Sequence, residues 1–229
     1  MTEAEFEGRI LARHGDLVAL DKPPDLSTTG RTLEDPDCLQ FHALRYFGQM
    51  VWALHQLDAD TSGVCLMSLS KAWIPRLQRL WHQAETQKEY LAIVHGTPSW
   101  KTHREEAPIG EIQPGHLGVH PNGKNAISEF TVLARAPSYS LLRVRLFTGR
   151  THQIRIHLQH LGYPLVGEEW YRTEPCIQHP RQALHAWRLQ LPLSAGAGNA
   201  PLHFEAPLAH DLQALLTKLG LTTPTDHPM

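Results

Sequence analysis

Short apolar runs that alternate with polar residues follow one another along this chain with few helical patterns between them. That succession restricts the possible folds more than any overall composition does. The clearest run, residues 142–147, sends Leu142, Val144 and Leu146 one way and Arg143 and Arg145 the other. Further strand patterns cover residues 17–20, 51–55, 64–68, 90–94, 128–134, 185–191 and 202–205. Helical periodicity is confined to residues 38–47, 72–83, 209–219 and a stretch opened by Thr148-Gly149-Arg150, where Ile154, Leu158 and Leu161 share a face and Gly162 is a C-cap candidate. Strands that succeed one another directly predict an α+β fold with a large, mostly antiparallel mixed sheet flanked by helices and loops. Prolines and glycines crowd residues 98–125, which read as loop.

Chemistry concentrates in His55-Gln56-Leu57-Asp58-Ala59-Asp60-Thr61-Ser62-Gly63, an acidic turn between two apolar runs. A carboxylate leaving an apolar strand, as Asp58 does, can be partly desolvated and still face a cleft, which suits a nucleophile or an acid/base. The same residues also suit a plain hairpin with Asx-type turn chemistry, in which Asp60 caps the turn. In the second polar stretch, Thr148 to Leu158, Arg155 lies beside the apolar face near His152 and Gln159, placed to reach a carboxylate. In a third, Lys88-Glu89-Tyr90, Tyr90 shares a strand face with Lys88, Ala92 and Val94.

These segments, H-Q-L-D-A-D-T-S-G, then K-E-Y, then T-G-R-T-H-Q-I-R-I-H, resemble in order and spacing the RluA family of RNA pseudouridine synthases. Lys22-Pro23 after the first apolar strand, Leu184-His185-Ala186-Trp187 and Phe204-Glu205-Ala206-Pro207-Leu208 extend the resemblance from about Ile10 to Leu216. It implies the pseudouridine synthase fold and isomerisation of uridine in RNA without a cofactor. Asp58 is then the catalytic carboxylate, Arg155 its ion-pair partner, and Tyr90 the ring that stacks on the displaced uracil. Gln56 stands where the family usually has Arg, a residue thought to displace the target base. A neutral amide there lacks the planar cationic fork, which bears on substrate choice or base flipping. That substitution is the one sequence feature favouring the alternative, a catalytically idle RNA-binding or chaperone protein. By the same resemblance residues 17–220 form the catalytic domain and residues 1–16 an extension too short for the accessory RNA-binding domain of many relatives, while residues 221–229, at the terminus, read as a disordered tail.

Net charge is -2, yet residues 127–160 carry five arginines against the single acid Glu129. Such a strip is where RNA phosphates would be met, by Arg143, Arg145 and Arg150, with Gln56, His152 and Ile154 nearer the base. The implied partner is an rRNA or tRNA stem-loop. His152, His157 and His160 do not project to one point from a single helix, and no metal site is read from them. His55 reads as loop-fixing. Three cysteines in no metal-like spacing fit a reduced, cytoplasmic protein, no apolar run is long enough to span a bilayer, a monomer with no membrane contact is expected, and Cys65 reads as a small core residue.

Overall fold

The computed structural model describes residues 1–172, 179–192 and 201–222. The chain divides into two compact units, Met1–Lys88 with Ala186–Ala209, and Glu89–His185 with His210–Met229.

The first unit opens with α1 (Glu3–Glu7), where a capping box joins Thr2 and Glu5. Phe6 of this turn is 1% exposed and packs on Tyr46 and Phe47 of α2 (Leu39–Phe47). The residues expected as an extension thus hold a helix and also an edge strand, β1 (Ile10–His14), antiparallel to β2 (Leu17–Lys22). Half-exposed β1 alternates too weakly to stand out in the sequence. Then follow β3 (Trp52–Ala53), β4 (Ser62–Ser68) and α3 (Trp73–Leu80), with β5 (Gln87–His95) leading out. β11 (Leu184–Leu191) and β12 (Leu202–Glu205) return to complete the order β1-β2-β4-β11, with β12 on β11 and β3 on β4. Every residue of β4 is buried, as expected of an apolar run with a strand on each side. Its core cluster unites Leu17, Ala19, Val64, Leu66, Leu77 and Phe204. The strand expected at 51–55 shrinks to two residues, which pair only with Ser68 and Met67 at the end of β4.

In the second unit β5 pairs with β10 (Tyr139–Leu146), β10 with β9 (Ser128–Ala136), and β9 with β6 (Thr102–Glu105), all antiparallel. The pattern of β10 is as its alternation predicts, with Leu142, Val144 and Leu146 buried and Arg143 and Arg145 half-exposed. Helix α4 (Gln153–His160) packs Ile154 and Leu158 into the core made by Ala92, Phe130, Leu142 and Val144, and α5 (His210–Lys218) follows β12.

The reading of residues 98–125 as loop is corrected here. They hold β6 and an antiparallel hairpin, β7 (Ile109–Gln113) and β8 (His116–Val119). Pro114-Gly115 is the turn of that hairpin, with Gly115 at φ 76°, so the residues taken as loop markers punctuate short strands. The α+β class and the antiparallel pairing are as the strand succession implies. The tail expected from residue 221 lies almost wholly outside the described residues.

Candidate active site

Asp58 is half-buried in a turn whose backbone is gripped on both sides. On one side buried Thr28 receives the Leu57 amide (2.9 Å) and donates to the Leu57 carbonyl (3.1 Å). On the other, the Lys22 ammonium, in a residue with no exposed surface, donates to the Ala59 carbonyl at 2.6 Å and to those of Pro23 and Leu26. The Asp58 carbonyl accepts the Thr61 amide at 3.1 Å, closing the turn. Gly63 ends it at φ 109°, where a Cβ would collide with the backbone of Ala186; only glycine allows that approach. The carboxylate is therefore carried on a main chain that Thr28 and Lys22 clamp on either side of it, an arrangement suited to a preorganised reacting group. Gln56, two residues before Asp58, is exposed and shares hydrogen bonds with Thr29 (3.2 and 3.3 Å).

His55 has the loop-fixing role expected of it. Its Nε2 accepts the Leu66 amide at 2.9 Å and its ring stacks on Trp81 at 4.9 Å. Desolvation, aided by the nearby Lys88 charge, pushes its pKa down to about 4. Lys88, lying over the Trp81 ring and donating to the Trp81 carbonyl, is itself pushed down by burial to about 8. The unfolded chain thus binds the His55 proton more tightly, and stability should rise with pH between about 4 and the ordinary value of 6.5. Thermal melts across that window should show the slope, and His55→Gln, which cannot titrate, should flatten it. An equally steep slope in that variant would remove His55 as its source.

In the second unit Arg155 is 6% exposed, and the buried Glu168 grips its guanidinium bidentately, Nε to Oε2 at 2.9 Å and Nη2 to Oε1 at 2.7 Å. Burial opposes ionisation of Glu168, but the hydrogen bonds and charge of Arg155, with the Trp170 and Tyr171 amides, prevail and hold its carboxyl below the usual range. Those amides donate to Oε1 at 3.0 and 3.4 Å, and both rings lie near the guanidinium carbon, at 5.6 and 5.2 Å. The Tyr171 hydroxyl reaches His152 Nδ1 at 2.7 Å. His152 has φ 54°, an uncommon conformation for a non-glycine residue, at the start of α4. The structure so brings His152 and Arg155 together and adds Glu168, Trp170 and Tyr171, none of which was expected. Tyr90 is half-buried on β5 opposite Val144 and packs against the core. Ile154 lies inside that core at 4% exposure. His157 sits between Ser128 Oγ and the Ala107 carbonyl, both at 3.0 Å, while His152 binds Tyr171. Cys65 is a core residue, its thiol pushed up by burial to about 12.

The arginine strip is less basic in three dimensions than along the chain. Arg145 stands opposite Glu89 on β5 and opposite Glu129 on β9, and Glu129 in turn stands opposite Arg104 on β6. One sheet row therefore reads acid, base, acid, base. Arg143 Nε lies 3.8 Å from Glu89, and Arg104 and Arg145 both lie over the exposed Phe147 ring, at 4.6 and 5.0 Å. Arg150 is exposed and donates to the Asn125 carbonyl at 2.9 Å.

The fold is that of pseudouridylate synthases. A human structure, RNA Pseudouridylate Synthase Domain Containing 4, superposes with a TM-score of 0.79, covering 97% of each chain at 23% identity. The chain belongs to the RNA pseudouridylate synthase family, whose model matches residues 16–160. Ribosomal large subunit pseudouridine synthase D of Nitrosomonas europaea is 39% identical over 223 residues, 91% of this chain and 64% of that protein. Ribosomal large subunit pseudouridine synthase C of Haemophilus ducreyi is 29% identical over 231 residues, 94% of this chain and 70% of that protein. Members of the family are isomerases that convert uridine in RNA to pseudouridine. The resemblance carried by the sequence motifs is borne out at this level.

Proposed function

We propose that this protein isomerises uridine to pseudouridine in RNA with Asp58 as its catalytic carboxylate, assisted by Tyr90 and Arg155. The observation that carries this is the aspartate motif of a family member set on a turn clamped through Leu57 and Ala59. In the reaction the bond from ribose C1′ to uracil N1 breaks, the ring turns, and C1′ bonds to C5. The C5 hydrogen is lost as a proton and N1 gains one, so atoms and electrons balance with no external oxidant or cofactor. Asp58 as a carboxylate serves either as the nucleophile or as the base of this sequence. Arg155 would favour the charged carboxylate, and the Tyr90 ring would stack on the extruded uracil. Gln56, on the exposed side of the turn, is assigned to base displacement.

Both relatives named above are ribosomal large subunit enzymes, which supports ribosomal RNA as the substrate class. Among the described residues no helix is long and apolar enough to cross a membrane. A cytoplasmic monomer completes the proposal. Release of tritium from RNA bearing uridine labelled at C5 tests it directly. Release above background supports it, and none from rRNA or tRNA would overturn it.

Arg143, Arg145 and Arg150 are assigned to phosphates. Arg145→Ala should weaken binding to many RNAs alike and flatten the log-log dependence of affinity on salt by roughly one unit. An unchanged slope in a salt titration would show that Arg145 serves only the sheet row and Phe147.

A further inference from the structure

Among the described residues Trp170 is the most exposed of the large apolar side chains, at 70%, and it is not on a loosely held segment. Its amide and that of Tyr171 are bound by Glu168, itself 1% exposed and locked to Arg155. Gly167, at φ 75°, lies so close to the backbone of Arg181 that a Cβ would clash there, and the Tyr171 hydroxyl is tied to His152. The turn is thus fixed from both ends, and it holds out an indole that solvent covers poorly. Displaying that much apolar surface forgoes the gain from burying it, and the exposed Ile112, lining one groove with it, makes the two a contiguous patch suited to an external contact.

The indole borders a groove of about 360 Å³, of a size usual for small-molecule sites. Ile112 and Leu117 of the β7–β8 hairpin, Ile156 and His160 of α4, and Arg172 complete its character. No aspartate or glutamate lines it among the described residues, and Ile112 is a second exposed apolar side chain, at 53%. An apolar, aromatic-walled groove with a guanidinium and imidazoles, and no carboxylate among its described lining residues, matches a planar base carried on an anionic backbone.

We propose that Trp170 is a stacking platform for an unpaired nucleobase of the RNA, separate from the uridine that reacts, with Arg172 toward the accompanying phosphate. This rests on the RNA reading above. A rigidly presented ring loses little freedom on binding, so the contact serves affinity for single-stranded segments without reading their sequence.

Affinities for a short fluorescein-labelled oligouridylate and for an abasic ribose-phosphate strand of equal length test the assignment. Trp170→Ala should weaken oligouridylate binding by about tenfold, within the range of one base–aromatic stack, and leave the abasic strand unaffected. Trp170→Phe should restore most of the affinity. Oligouridylate should also quench the intrinsic tryptophan fluorescence, and Trp170→Phe should lose that quenching while it still binds. The exposure of Trp170 means that neither variant should shift the thermal transition appreciably.

Four results would each overturn the platform: unaltered oligouridylate affinity in Trp170→Ala, an equal loss on the abasic strand, no binding of oligouridylate by the wild type, or a self-associated state that Trp170→Ala dissolves. The last would assign the indole to a second copy of the chain. Tritium release by the wild-type protein is measured separately. Release with unaltered oligouridylate affinity in Trp170→Ala sinks only the platform. Base-dependent weakening without any release sinks only the synthase reading.

Discussion

Asp58→Asn should lower pseudouridine formation by roughly a thousandfold or more, the scale on which removal of an acid/base or nucleophilic group is felt. The amide matches the carboxylate in shape but cannot act as base or nucleophile at neutral pH. Protein integrity should survive the change. Hydrogen bonds from Thr28 to Leu57 and from Lys22 to Ala59 clamp the turn through main-chain atoms that the substitution leaves alone, and the amide keeps the shape of the carboxylate. The melting temperature and RNA affinity should accordingly stay close to wild type. Asp60→Asn, two residues on in the same turn, is the matched control and should retain turnover. Single-turnover tritium release is the measurement. Substantial turnover in Asp58→Asn, or an equal loss in Asp60→Asn, would remove Asp58 from the role.

The largest expected effect on stability comes from Glu168→Ala. This change takes both carboxylate oxygens from a guanidinium that is 6% exposed, and leaves the Trp170 and Tyr171 amides without that acceptor. Breaking one side of a buried ion pair typically costs about 3–5 kcal/mol. Urea denaturation gives the number, and a loss under about 1 kcal/mol would mean that the turn relaxes and rehydrates Arg155. The pH dependence has a definite sign. The Glu168 pKa is lowered in the folded state, so its contribution is present above the ordinary value of 4.5 and fades as pH falls through the folded value. Glu168→Gln should weaken that acid sensitivity even where its stability loss is smaller. Because Glu168 also sets the Trp170 turn, Glu168→Ala should disturb oligouridylate binding as well.

Much of the strand framework was legible because burial on one face writes itself into a sequence as alternation. β9, β12 and α2 stand within two residues of their expected bounds. β1 escaped because a half-exposed edge strand needs no strict pattern, and the β7–β8 hairpin because its strands are short and its glycines suggested loop. At the candidate site, the residues that resemblance supplied were readable from motif order. The residues that hold them were not. Thr28 and Glu168 act across gaps of 29 and 13 residues, and nothing local in the chain says which amide or guanidinium each will meet. A weak signal existed for Glu168. A glutamate following Leu165-Val166-Gly167 sits in an apolar context, and a buried acid requires a cation. It could not say which of the many arginines answered. Counting charge along residues 127–160 also overstated the basic strip, since Glu89 enters the same sheet row from a strand outside that window.

That row, Glu89, Arg145, Glu129, Arg104, alters what capture of a phosphate on this face entails. Each guanidinium there already has a carboxylate for a neighbour, so a phosphate arriving as proposed would substitute for one anion rather than fill an empty field. Contact becomes an exchange reaction whose gain is the difference between two ion pairs. Polyanions of arbitrary spacing gain little from such a surface, while a backbone whose phosphates fall in register with the arginines gains at every step. A protein of nearly neutral overall charge would in this way favour RNA backbones that match that spacing, whatever their sequence, over other polyanions.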